Sequence, residues 1–171
     1  MTALSGEIGA GMKRHLIVGV MGGGQASARD TDAAYRLGKL IAAQGWVLLN
    51  GGRCAGIMDA SAKGAWEEGG LTIGILPDDN MAGTSDYVSI PILTGMGSAR
   101  NCINVLSSHV VVACPGGAGT ISEIALALKY GKNVILMNFD AGKLFETYVR
   151  KGLLHHAETP EEVVGKIKAL A

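Results

Sequence analysis

The chain has 171 residues, 48% of them hydrophobic and 18% charged, enough to bury one domain's core without disulfides or metals and far from the make-up of a disordered chain. Its 15 basic and 15 acidic side chains cancel, so no net field draws it to a nucleic-acid backbone or an anionic membrane, and no apolar run reaches the roughly 18 residues of a membrane span. The three cysteines, Cys54, Cys102 and Cys114, are odd in number and well separated; they fit neither a disulfide framework nor a paired metal site, which points to a reducing, cytoplasmic setting.

The N-terminus up to Gly11 lacks the basic-then-apolar order of a secretory signal, and residues 1–14 read as a flexible lead-in to a single ligand-binding domain over 15–171. Strands are expected at 15–21, 45–50, 71–76, 109–114 and 133–137, each apolar on both faces, as strands are in a parallel sheet held between two helix layers. Helices are expected between and after them. Residues 30–44 carry an apolar stripe at Ala33, Ala34, Leu37, Leu40 and Ile41, with Asp30 or Thr31 as cap. Residues 54–68 repeat the pattern and stop at Gly69 and Gly70. Two further helices fall at 98–107 and 118–130, and a last one at 160–170 opens on a proline. The fold class is therefore α/β, a Rossmann-like doubly wound parallel sheet with helices on both faces, in one domain. The polar loop 77–86, with Asp78, Asp79, Asn80 and Asp86, is a candidate lid.

Three glycine-rich turns each follow a strand: Gly22, Gly23 and Gly24; Gly51, Gly52 and Arg53; and Pro115, Gly116, Gly117, Ala118, Gly119 and Thr120. Parallel strands bring all three to one sheet edge, where glycine lets the backbone approach a ligand. The third turn leads into a helix whose free amides and dipole favour an anion, with the Thr120 hydroxyl as a further donor. Arg100 opens another helix near the same edge and offers a planar fork to phosphate or carboxylate. Glu123 falls in the first turn of the helix after the anion loop, close enough to need a cationic partner, and Arg100 is the natural one. Ser98 and Asn101 are candidate hydrogen-bond donors to a polar ligand. His109, His155 and His156 begin or lie within apolar strand runs with no metal-ligand spacing, Met58 and Met96 read as core filler, and no metal site is expected. The apolar helix 118–130 suggests self-association.

Residues 115–123, PGGAGTISE, fit the PGGxGTxxE motif of the lysine-decarboxylase-like superfamily. That superfamily includes the lonely-guy type phosphoribohydrolases, which cleave a nucleoside 5′-monophosphate to free base and ribose 5-phosphate with an arginine and a glutamate. Arg100 and Glu123 stand at the matching positions, the catalytic pair if the chain is an enzyme. Asn101 departs from that group, which follows its arginine with lysine. The runs GVMGGGQA, GWVLLNGGRCAGIMDASAKGA, TIGILP, GMGSARNCINVLSSHVVVA and EIALALKYGKNVILM resemble another branch, the molybdenum cofactor carrier proteins. The resemblance implies a homodimer or homotetramer that binds, protects and transfers molybdenum cofactor, a phosphate-bearing molybdopterin, to molybdenum enzymes. Two alternatives stand beside it: phosphoribohydrolase action on a purine nucleotide, and Smf-type nucleic-acid binding, against which the zero net charge argues.

Overall fold

The computed structural model describes residues 15–170; the lead-in read at 1–14 lies outside them. Seven strands form one parallel sheet: β1 (Ile17–Met21), β2 (Val47–Asn50), β3 (Thr72–Leu76), β4 (Ile90–Leu93), β5 (Val110–Ala113), β6 (Asn133–Met137) and β7 (Leu154–Ala157). Their order is β4-β3-β2-β1-β5-β6-β7, with every neighbouring pair parallel. The chain therefore winds outward from β1 to β4, returns to the other side of β1 as β5, and winds outward again. The crevice at the carboxyl ends of β1 and β5, where the winding direction reverses, is the place such a sheet offers a ligand.

Strand periodicity explains the two helix layers. Val110, Val112 and Cys114 point to one face, where they meet Ala34, Leu37 and Ile41 of α1 (Ala28–Ala43), Ile57 and Ala65 of α2 (Gly56–Glu67), and Val163 and Ile167 of α6 (Pro160–Leu170). Val111 and Ala113 point to the other, against Val105 of α3 (Asn101–Ser107) and Ile124, Ala127 and Leu128 of α4 (Ala118–Lys129). The short helix α5 (Glu146–Arg150) joins β6 to β7.

All five expected strands and all five expected helices are present, and the doubly wound reading holds. β4 and α5 escaped the sequence pattern, and β7 is anticipated there only as the strand run holding His155 and His156, without bounds. β4 is four residues long with Pro91 at its second position, and proline, lacking an N–H, is tolerated only where a strand has a free edge. β7 reads Leu-His-His-Ala, too polar at its centre to show a buried strand, because it is the opposite edge. The start of α1 is also corrected. Its cap is Ser27, whose hydroxyl accepts from Asp30 N at 3.1 Å and donates to the Asp30 carboxylate at 2.6 Å. The acidic residue expected as the cap is instead the cap's partner one turn in. Met96, expected in the core, is 50% exposed ahead of the 3-10 turn at Gly97–Arg100. No helix among the described residues is long and apolar enough to cross a membrane.

Candidate functional site

At the carboxyl ends of β1, β2 and β5 lies a cavity of about 220 Å³. Gly22, Gly23 and Gly24 form one wall, Gly51 and Met58 a second, Arg100 and Asn101 a third, and Gly117, Gly119, Thr120 and Glu123 the fourth, with Val20 and Met21 at the floor. The first and third glycine turns cross: Gly23 N donates to Pro115 O at 3.0 Å. Only residues without a β-carbon fit at that crossing. A β-carbon on Gly23 would lie 2.8 Å from Gln25 O and 3.3 Å from the α-carbon of Gly116.

The α4 end of the cavity presents free backbone amides. Its cap, Gly117, has no side chain to bond the first turn, and the helical ladder begins only with Ile121 N donating to Gly117 O. The amides of Ala118, Gly119 and Thr120 therefore have no helix carbonyl to bond. Hydrogen bonds to a charged acceptor are worth roughly 1.5–3 kcal/mol each, so two or three of these amides outweigh the modest contribution of the helix dipole, about 0.3–1 kcal/mol. Thr120 is buried beside them. Asn101 braces the rim, its amide donating to Ser122 Oγ at 3.0 Å.

Arg100, half-buried, and Glu123, buried, both line the cavity, but they are not the contact pair the sequence suggested. Arg100 Nη1 donates to the carbonyl oxygens of Gly51 and Ile75, which ties the end of β2 to β3. A β-carbon on Gly51 would stand 2.6 Å from that nitrogen, so Gly51 is the seat of the guanidinium. Burial pushes the Arg100 guanidinium below its ordinary range, and the nearby Glu123 carboxylate offsets this in part; an arginine stays charged through such a shift. Glu123 lies in the second turn of α4, not the first, and is 7% exposed. Burial pushes its carboxyl upward, while the hydrogen bond from Asn104 and the charge of Arg100 pull it back. Asn104 Nδ2 donates to Glu123 Oε1 at 2.8 Å.

The profile of the SLOG cluster4 family matches residues 15–164. The chain belongs to that family. Among solved structures, the molybdenum cofactor binding protein of the phototrophic bacterium Rippkaea orientalis is 50% identical, with a TM-score of 0.88 over 93% of this chain and 99% of that one. The molybdenum cofactor carrier protein of Chlamydomonas reinhardtii is 44% identical, with a TM-score of 0.84 over 92% and 98%. A probable cytokinin riboside 5′-monophosphate phosphoribohydrolase of Oryza sativa subsp. japonica is 31% identical over 117 residues. Those residues are 64% of this chain and 52% of the rice protein, so the chain matches about half its length. The superfamily resemblance carried by PGGxGTxxE, and the branch resemblance beside it, both hold.

In this SLOG cluster4 protein several residues singled out from sequence stand behind the cavity wall. Gly52 is buried against Gly74 and Leu76 between β2 and β3. Arg53 turns away to pair with Asp78 at 2.7 Å and to donate to Ala82 O at 3.2 Å. Together with Ser85 N donating to Gly52 O and Cys54 N donating to Gly83 O, both at 2.9 Å, this stitches the 77–86 loop to the second glycine turn. Ser98 is exposed on the 3-10 turn, and Ala118 is exposed at the first turn of α4. Pro115 and Gly116 frame the turn crossing. Met58, read as core filler, lines the cavity. Asn104 was missed altogether. Its signal was a polar residue four positions after Arg100, hence on the same side of α3, within the apolar run Cys-Ile-Asn-Val. Among the described residues no group of three or more His, Cys, Asp or Glu side chains could hold a metal ion.

Thiol labelling of the native protein checks the placement of these layers. Cys54 is exposed just after the second glycine turn and Cys114 is fully buried at the end of β5, its thiol pushed up to about 12 by burial. Nearby Asp59 also raises Cys54, so it reacts more slowly than a free thiol. One adduct is expected at Cys54 first, with Cys114 protected until denaturant is added; early modification of Cys114 would contradict the packing of β5.

Proposed function

We propose that this protein binds molybdenum cofactor and carries it to molybdenum enzymes, with the cofactor's terminal phosphate on the uncapped amides of α4. The supporting observation is the coincidence of that uncapped helix start with a cavity walled by glycine turns, in a chain half identical to a molybdenum cofactor binding protein. The phosphate rests on Gly117, Gly119 and Thr120, close to the Arg100 charge. The pterin, a flat hydrogen-bonding ring, lies along Gly22–Gly24 and Gly51. Turns without side chains suit it, since a flat ring needs close approach on both faces. Gly52, Arg53, Ser98, Asn101, Pro115, Gly116 and Ala118 support this site from behind or at its rim. The carrier works as a cytoplasmic homodimer or homotetramer.

The test is to purify the protein from a host that makes the cofactor, oxidise any ligand in acid, and quantify the fluorescent pterin against an Arg100→Ala, Thr120→Ala double variant. Wild type is expected to carry pterin well above the variant. Background levels in both, even when cofactor is supplied without oxygen, would end the carrier reading.

A second reading has one observation of its own. Arg100 and Glu123, the residues matching the phosphoribohydrolase pair, line the same cavity. With AMP as substrate, release of adenine by wild type and its loss in Glu123→Gln would favour the enzyme.

A further inference from the structure

An anion site has no need of a buried carboxyl group, yet Glu123 faces the same cavity as the free amides of α4. Ion pairs within 4.0 Å among the described residues do not include it. Its hydrogen-bond donor is Asn104, which is 1% exposed and whose own Oδ1 is buried without a partner. The neighbouring walls are Val20 and Met21 of β1, Met58 of α2 and Thr120 of α4, all uncharged. The charge facing Glu123 is therefore Arg100, with Arg53 and Asp78 acting on Arg100 from beyond it.

We propose that Glu123 takes up one proton as the anion seats, and that Asn104 is the positioning residue that sets the pH at which it does so. This rests on reading the cleft as an anion site. The proton comes from solvent to a carboxylate oxygen, forming one O–H bond and taking the side chain from −1 to neutral, so the arriving anion no longer faces a fixed like charge across the pocket. Asn104 serves both states. Its Nδ2 donates to the ionised carboxylate and favours that form, while its unmatched Oδ1 is an acceptor for the carboxyl O–H once the amide turns over. A carrier must also let go. Because binding takes up a proton, affinity falls as pH rises through the range where Glu123 ionises, so the anion is held at lower pH and released at higher pH.

Sulfate is the probe, because it stays a dianion throughout and any proton uptake is then the protein's. Protein carrying carboxyl-labelled glutamate is titrated with and without sulfate, following the Glu123 carboxyl signal and the amide signals of residues 117–120. The expected result is a Glu123 midpoint moved to higher pH by sulfate, with sulfate affinity falling about tenfold per pH unit above the midpoint of the free protein. In Asn104→Leu, or Asn104→Ser where leucine is not accommodated, the free midpoint should rise and tight binding should extend to higher pH. In Glu123→Gln the pH dependence should vanish. Moving amide signals with a stationary Glu123 midpoint would overturn the proton linkage and leave the anion site standing. Amide signals that sulfate does not move would overturn the anion site, and the linkage with it. A midpoint indifferent to both Asn104 variants would overturn the role of Asn104.

Discussion

Gly64→Ala is expected to destabilise the fold by about 2–3 kcal/mol, near the top of the usual range for overpacking, and so to lower the melting temperature by roughly 5–10 °C. Gly64 lies in α2 where it crosses α1, and an added β-carbon would press into the Tyr35 carbonyl oxygen and sit 2.9 Å from its carbon. The obstacle is backbone, so no rotamer change relieves it. The reciprocal contact makes the fit tighter: a β-carbon on Gly38 of α1 would collide with Ser61 O and lie 2.9 Å from Ala65 N. Helix propensity works the other way, since alanine is favoured over glycine in a helix interior by about 0.8–1 kcal/mol, but that gain is smaller than the cost of forcing two helices apart. The same substitution at Gly165 is the control. Gly165 is exposed in α6 with nothing within 4 Å of its would-be β-carbon, so Gly165→Ala should stabilise by up to about 1 kcal/mol through propensity alone. Thermal melts of the two variants should move in opposite directions. A Gly64→Ala protein that melts with wild type would mean that α1 and α2 do not meet at this distance.

That pair of glycines also marks what could be read without coordinates. Strand and helix periodicity is a local signal, and it placed the central strands and the helices around them because each buries a regular set of apolar side chains. Gly38 and Gly64 sit inside those helical stretches as apparent defects, and only the crossing of α1 and α2 explains them. The edges were harder for a physical reason. β4 and β7 each have one neighbour and so need less apolar surface, and Pro91, His155 and His156 are permitted there.

The site divides the same way. Glycine turns after parallel strands must converge on one edge, so Gly22–Gly24, Gly51 and Gly117–Thr120 could be brought together from topology alone. Which side chains face inward could not, because that depends on where each strand or turn ends. Arg53 and Arg100 look alike in sequence, each in a glycine-containing stretch at the start of a helix region. In the structure the Asp78 carboxylate draws Arg53 to the loop, while Arg100 lies over Gly51 and stays in the cavity. Asn104 looked like one polar residue in a helix, and its meaning came only from α4 placing Glu123 against it.

Gly116→Ala should reduce cofactor retention by about 100-fold, equivalent to about 2.7 kcal/mol of binding free energy, while leaving the protein folded. Gly116 is not itself at the cavity wall, yet it is the point at which the first and third glycine turns touch. A β-carbon there would strike the Thr120 hydroxyl and lie 2.8 Å from Gly23 N. Thr120 is 4% exposed and β-branched, so its side chain has little freedom to turn aside. Gly23 N is backbone and already committed to Pro115 O. The strain must then open the turn crossing or twist the start of α4, and either movement misdirects the amides of Gly119 and Thr120 that would hold the anion in the proposed site. Hydrogen bonds weaken steeply once their angle falls toward 120°, so a shift of a few tenths of an ångström at Gly116 is amplified at the ligand. The backbone of Gly116 is not in the left-handed region, so alanine adds no conformational strain of its own and the loss is steric. Removing the hydroxyl takes away only the closest contact: in Gly116→Ala with Thr120→Ala, the contacts with the residue-120 β-carbon at 2.9 Å and with Gly23 N remain. Pterin retention in the single and double variants, measured beside their melting temperatures, reports on this directly. Retention within twofold of wild type in Gly116→Ala would show that the ligand does not depend on the α4 amides, and the phosphate would have to be placed elsewhere along the cleft.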